Sequence, residues 1–308
     1  MKISTLPLSL YTITMGLAGY TIALRTLSLF GNMGRLPYHV PFFIALAVFL
    51  TTTFFFLVKA TRYPETLRHD WRDPLHINLF PAVSISLLLL SIAGQTIAPN
   101  CAWYCWLFGT ILHGIFSIAV MKTWVEESHF GIEHFNTLWF IPIVGNILVP
   151  IMGTQYGFLE MSWFFFAIGF AFWALLMPLI MYRLFFATPL PKSLAPSMFI
   201  LVAPPAAGFI AYFKLTHQVD PLAHILLYLA LFFFVFVLIQ AIHRGFGKFS
   251  LSWWATVFPS TALATALLVI FHAIHASVFL YSATALLIGT TLWLLILLPA
   301  TIKFIAKN

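Results

Sequence analysis

Two sets of residues have types and spacings that bear on chemistry. The first is the histidines, eleven in all. Most fall in loops or at the ends of apolar runs, but His113 lies inside one. His272 and His275 stand three apart at the end of another. A haem or metal enzyme needs paired histidines at matching depth on facing helices, and His113 with His272 is the pairing this chain offers. Packed or interfacial histidines are the plainer reading. The second set is prolines inside apolar runs, flanked by small and hydroxyl residues. The fullest example is Trp253–Ala266, WWATVFPSTALATA. A proline inside a helix removes a backbone hydrogen bond and bends it, and small neighbours let a solute or another helix approach the backbone. That pattern suits passage of a solute, not bond making. Cys101 and Cys105, four apart, suit a disulfide poorly and read as small apolar fillers. No catalytic residue, metal or cofactor is expected.

The elements that position these residues follow from composition. Of 308 residues, 62% are hydrophobic and 7% charged, and the mean hydropathy is +1.00. Soluble domains carry about 25% charged residues, so the chain reads as an all-α integral membrane protein. Spans of about 20 apolar residues are expected at 7–30, 41–60, 75–94, 102–121, 137–153, 161–182, 196–213, 222–242, 252–271 and 277–299. They leave no room for a separate soluble domain, so residues 1–308 are expected to form one transmembrane domain. The charged stretch Arg62–Pro74 reads as a solvated connection.

Ten spans put both termini on one side. Assigning the connections alternately gives that side 12 of the 15 lysines and arginines. The other side holds Arg25, Arg35 and Lys214. Positively charged loops stay cytoplasmic, so both termini are expected in the cytoplasm of a multi-pass plasma-membrane (bacterial inner-membrane) protein. The net charge of +7 reflects this bias and gives no reason to expect nucleic acid as a partner.

Proline placement carries a repeat. Pro81, Pro142, Pro204 and Pro259 fall inside the third, fifth, seventh and ninth spans, 61, 62 and 55 residues apart. Even-numbered spans have proline only at an end (Pro41, Pro178, Pro299) or none. The period predicts five repeated helical hairpins in a ring, with bent odd helices inside around a central pore and straight even helices outside. In the first hairpin Thr14 stands 67 residues before Pro81, where the bend is expected. The odd spans also carry Gly16, Ser84, Gly145, Asn146, Gly208, Thr261 and Thr265, candidates for the pore lining along with Thr14. Phe258, before Pro259, is expected in the middle of what the odd helices surround. Phe80, before Pro81, is the competing obstruction.

Absence of mid-span charge suits a passive pore better than an ion-coupled carrier. Asn146, Thr261 and Thr265 are the candidate donors for an anion.

Three stretches carry a family resemblance over essentially the whole chain: WFIPIVGNILVP at Trp139–Pro150, LVAPPAAGFIAY at Leu201–Tyr212, and WWATVFPSTALATA at Trp253–Ala266. They resemble the inner helices of the tellurite-resistance/dicarboxylate transporter family, which contains bacterial TehA proteins and plant guard-cell slow anion channels. The resemblance implies a homotrimer in which each protomer has its own pore. It implies passage of small monovalent anions such as chloride and nitrate, and a gate formed by a phenylalanine of the ninth helix, which Phe258 matches. That family often has proline in its first helix where this chain has Thr14. Its name also covers tellurite, sulfite and dicarboxylate transport, so a secondary carrier for such solutes is the alternative.

Overall fold

The computed structural model describes residues 2–31, 34, 36–127 and 131–307. Arg35, counted above, lies outside the described residues. Every regular element among the described residues is helical. Among the described residues nine helices are long and apolar enough to cross a membrane, and a tenth, Thr137–Gly153, is shorter.

Two kinds of helix differ in how they are buried. The even-numbered spans form α2 (His39–Arg62), α5 (Pro99–Glu126), α7 (Leu159–Phe186), α9 (Pro221–Arg244) and α11 (Ser277–Lys307). Each buries one stripe at three- and four-residue spacing. In α7 the stripe is Ser162, Phe166, Gly169, Trp173, Leu176, Ile180 and Arg183, the signature of one face against a core. The remaining faces expose large apolar side chains such as Phe54, Phe108, Phe164, Phe232 and Leu295, as lipid contact requires. The odd-numbered spans form α1 (Tyr11–Phe30), α4 (Ala82–Gly94), α6 (Ile141–Gly153), α8 (Ala203–Thr216) and α10 (Val257–Ile274), buried almost all round. Among these, α1 packs on α4 and α10, α6 on α4 and α8, and α8 on α10, so the contacts return to their starting point. α2 leans on α1, α5 on α4 and α6, α7 on α6, α9 on α8, and α11 on α10.

The prolines sit inside the odd-numbered spans, as expected, but at a change of winding. Each odd-numbered span begins as a 3₁₀ stretch and then becomes α-helical. Pro81 is the residue before α4, Pro142 and Pro204 open α6 and α8, and Pro259 is third in α10. In a first turn proline sacrifices no intrahelical hydrogen bond. These prolines therefore mark the change from 3₁₀ to α winding and do not interrupt an α-helix interior. The first span has the same junction between Leu10 and Tyr11, so Thr14 falls inside α1, past the transition. Conversely, Pro178 and Pro299 lie inside α7 and α11, because these outer helices continue well past the expected span ends.

The stretch expected as a solvated connection holds a short surface helix, α3 (Pro64–Arg72), with no buried residue. Lys59, 2% exposed, ties it down. The Lys59 ammonium donates to Asp70 Oδ2 at 2.7 Å and to the Leu6 carbonyl at 3.0 Å. Lys59→Ala leaves both acceptors without this donor and is expected to cost about 3 kcal/mol, read as a lowered thermal midpoint in detergent.

Candidate functional site

Two small cavities lie between the five inner helices, and Phe258 lines both. The first, of about 40 Å³, is lined from all five inner spans: by Thr12 and Met15, Ile85, Leu138 and Val144, Ile200 and Ala203, and Trp254 with Phe258 and Pro259. The second, of about 30 Å³, is lined by Gly19 and Ile22, Leu89 and Ile92, Leu148 and Ile151, Ala207 and Ile210, and Phe258 with Ala262 and Thr265. The first lies at the end holding the chain termini. Trp254 lines it and donates its indole N–H to Thr301 near the end of α11, at 2.8 Å. The second lies further along the inner helices. Each has space for about one water molecule, too little for a hydrated anion to pass. Their linings are almost wholly aliphatic, and apolar constrictions of this size stay dry.

Phe258 is held against α1 by a close approach of two helices. It is 7% exposed. Gly19 of α1 faces it: a Cβ built there would lie 3.0 Å from Phe258 Cδ2 and 2.5 Å from Thr261 Oγ1. Absence of a side chain at Gly19 therefore lets the ring lie against α1.

The structure distributes the other expected site residues differently. Pro259 lines the first cavity and Thr265 the second, but Pro81, Pro142, Pro204, Thr14, Gly16, Phe80, Ser84, Gly145, Asn146, Gly208 and Thr261 line neither. Gly16 admits Val257 and Trp254 of the neighbouring span, and Gly208 faces Leu226 of α9. Phe80 packs edge-on against Trp71, centroids 4.8 Å apart, on the side of α3. The Thr14 hydroxyl is buried with no hydrogen-bond partner among the described residues. The hydroxyls of Thr261 and Thr265 donate to carbonyls of their own helix. Thr265→Val, nearly isosteric, is accordingly expected to leave conductance and anion preference within about twofold of the parent, checked by bilayer recording.

Ser84, Gly145 and Asn146 belong to a buried brace built on His113. The His113 ring lies against Gly145. Its Nε2 is 3.1 Å from the Pro142 carbonyl and its Nδ1 2.9 Å from Ser84 Oγ. A carbonyl can only accept, so Nε2 carries the hydrogen, while the Ser84 hydroxyl beside Nδ1 also lies 2.8 Å from the Pro81 carbonyl. Ser117 also donates to Pro142, at 3.0 Å, and Asn146 donates to Ser117, at 3.0 Å. Both ring nitrogens of His113 thus serve protein partners, and His272 stacks on Phe30, centroids 4.0 Å apart. The arrangement cross-links α4, α5 and α6 and presents no paired ligands.

The aliphatic lining residues carry no mark in the sequence that sets them apart. These residues follow helical spacing, as in Phe258, Ala262 and Thr265. An inner helix apolar on every side gives no hydropathy contrast by which to choose that face.

The family model described as SLAC1, voltage-dependent anion channel, matches residues 5–302. The chain is 31% identical over 271 residues to the S-type anion channel SLAH2 of Arabidopsis thaliana, covering 84% of this chain and 51% of that one. It is 25% identical over 233 residues to the guard cell S-type anion channel SLAC1 of the same plant, covering 74% and 42%. It is 24% identical over 273 residues to the tellurite resistance protein TehA homolog of Haemophilus influenzae, covering 87% and 82%. The chain thus spans about half the length of these two plant relatives.

Proposed function

This chain belongs to the SLAC1 voltage-dependent anion channel family, and on that premise we propose that it is itself an anion channel. Small monovalent anions, chloride and nitrate, pass between α1, α4, α6, α8 and α10, arranged as a ring of five hairpin units. Phe258 closes the path. The protein resides in a bacterial inner membrane with both termini cytoplasmic. It works as a homotrimer in which every protomer has its own pore. The observation that carries this reading is the pair of apolar cavities, each lined by all five inner spans and both lined by one aromatic ring. A ring that separates two apolar chambers stops ions because water does not bridge the gap, and movement of the ring joins the chambers.

Reconstitution of the purified chain into planar bilayers tests the reading. Unitary current steps carried by chloride or nitrate are the expected result. Transport that saturates, at turnover too low for resolvable steps, would place the chain among carriers for oxyanions or dicarboxylates instead.

A further inference from the structure

Two cations stand beyond the second cavity, at the end of the pathway away from the chain termini. Arg25 follows the lining residue Ile22 by three positions on α1. Lys214 follows the lining residue Ile210 by four on α8. Both steps keep to one helix face. Arg25 is 6% exposed, and its Nη1 donates to the carbonyls of Ile92 and Ala93, at 2.7 and 3.3 Å. Ile92 itself lines the cavity. A guanidinium carries five N–H donors, and those on Nε and Nη2 have no hydrogen-bond partner among the described residues. Lys214 is half-buried and within electrostatic range of Arg25. No carboxylate among the described residues pairs with either cation. Asp220, the nearest acid along the chain, is engaged by the Tyr212 hydroxyl and the Ala223 N–H.

Capping the end of α4 accounts for one edge of the guanidinium. It does not account for a second cation within electrostatic range, or for the donors left over on a side chain that is 6% exposed. Two like charges within electrostatic range of each other, one on a side chain only 6% exposed and with donors to spare, are stabilised by an anion between them. We propose that Arg25 and Lys214 form an anion-binding antechamber that takes a partly dehydrated monovalent anion before it reaches Phe258. The planar fork of Arg25 suits a planar oxyanion such as nitrate better than a sphere. The site rests on the anion-pathway reading given above.

Bilayer recording in a Phe258→Ala parent separates the two ideas. Conductance is measured against chloride and nitrate concentration on the side bearing the α8–α9 turn, in the parent and with Lys214→Gln, Lys214→Arg or Arg25→Gln added. Removing one charge at close range is expected to raise the half-saturating anion concentration roughly three- to tenfold. Lys214→Arg should restore it, and Arg25→Gln should affect nitrate more than chloride. Half-saturation in Lys214→Gln equal to that of a conducting parent would overturn the antechamber and leave the pathway standing. Lys214 lies near a helix end, so this variant carries the test even where Arg25→Gln does not fold. A parent that passes no anion at all would remove the pathway reading and the antechamber with it.

Discussion

Phe258→Ala is expected to raise anion conductance at least tenfold over the unmodified chain without loss of folded protein. That ring lines both chambers, of about 40 and 30 Å³, and on the proposed reading truncating it joins them into one path. A tenfold gain corresponds to a barrier lowered by about 1.4 kcal/mol. That is modest for relieving a dry aromatic constriction. The packing left behind tolerates the change, because the ring borders empty space on both sides. Single-channel recording of purified variant against unmodified protein reads the gain directly. A well-folded variant with unchanged conductance would remove Phe258 as the barrier. Phe80→Ala is the control: that ring packs on Trp71, away from both cavities, and its loss should not open the path.

Gly145→Ala is expected to have the largest effect on stability. A Cβ at that position would collide with the His113 ring. The ring cannot step aside, because Ser84 and the Pro142 carbonyl hold its two nitrogens. Overpacking of this kind costs about 3 kcal/mol, visible as a large fall in thermal midpoint and in yield of monodisperse protein. His113→Ala alone is also destabilising, since it empties a fully buried site and removes one donor to Pro142. Ser117 and Asn146 still serve that carbonyl. Combining the two substitutions removes the collision. The double variant should therefore be more stable than the sum of the single effects by at least about 1 kcal/mol. Strict additivity would mean that the ring and the glycine do not oppose each other.

Much of the helical layout is legible in the sequence, because lipid permits few alternatives. A chain without water must satisfy its backbone within each span, and long apolar runs separated by charged connections mark those spans. The ends are less legible. α5 and α11 run past the expected boundaries through Lys122 and Lys303, since helix propensity does not stop where hydropathy falls. The proline period is plain in the sequence, but the winding around each proline is not. A 3₁₀ turn and an α turn have the same composition, and nothing in VFPST says that Pro259 enters a first turn instead of interrupting an interior. Phe258 could be singled out because a bulky ring beside a proline stands out from its small neighbours. The lining could not, since Ile22, Ile92, Ile151 and Ile210 differ in no local respect from isoleucines facing a neighbouring helix. His113 shows the same limit from the other side. Alone it reads as a mid-span titratable group, and only the glycine and carbonyl brought to it from α6 make it a brace.

The central claim, that anions pass between the five inner helices once the Phe258 ring is removed, is tested most directly by the reversal potential of the Phe258→Ala protein. Recorded across a planar bilayer under a potassium chloride gradient, the current should reverse close to the chloride equilibrium potential and shift on replacing chloride with nitrate. Reversal at the potassium equilibrium potential, or no current above that of the unmodified chain, would contradict it.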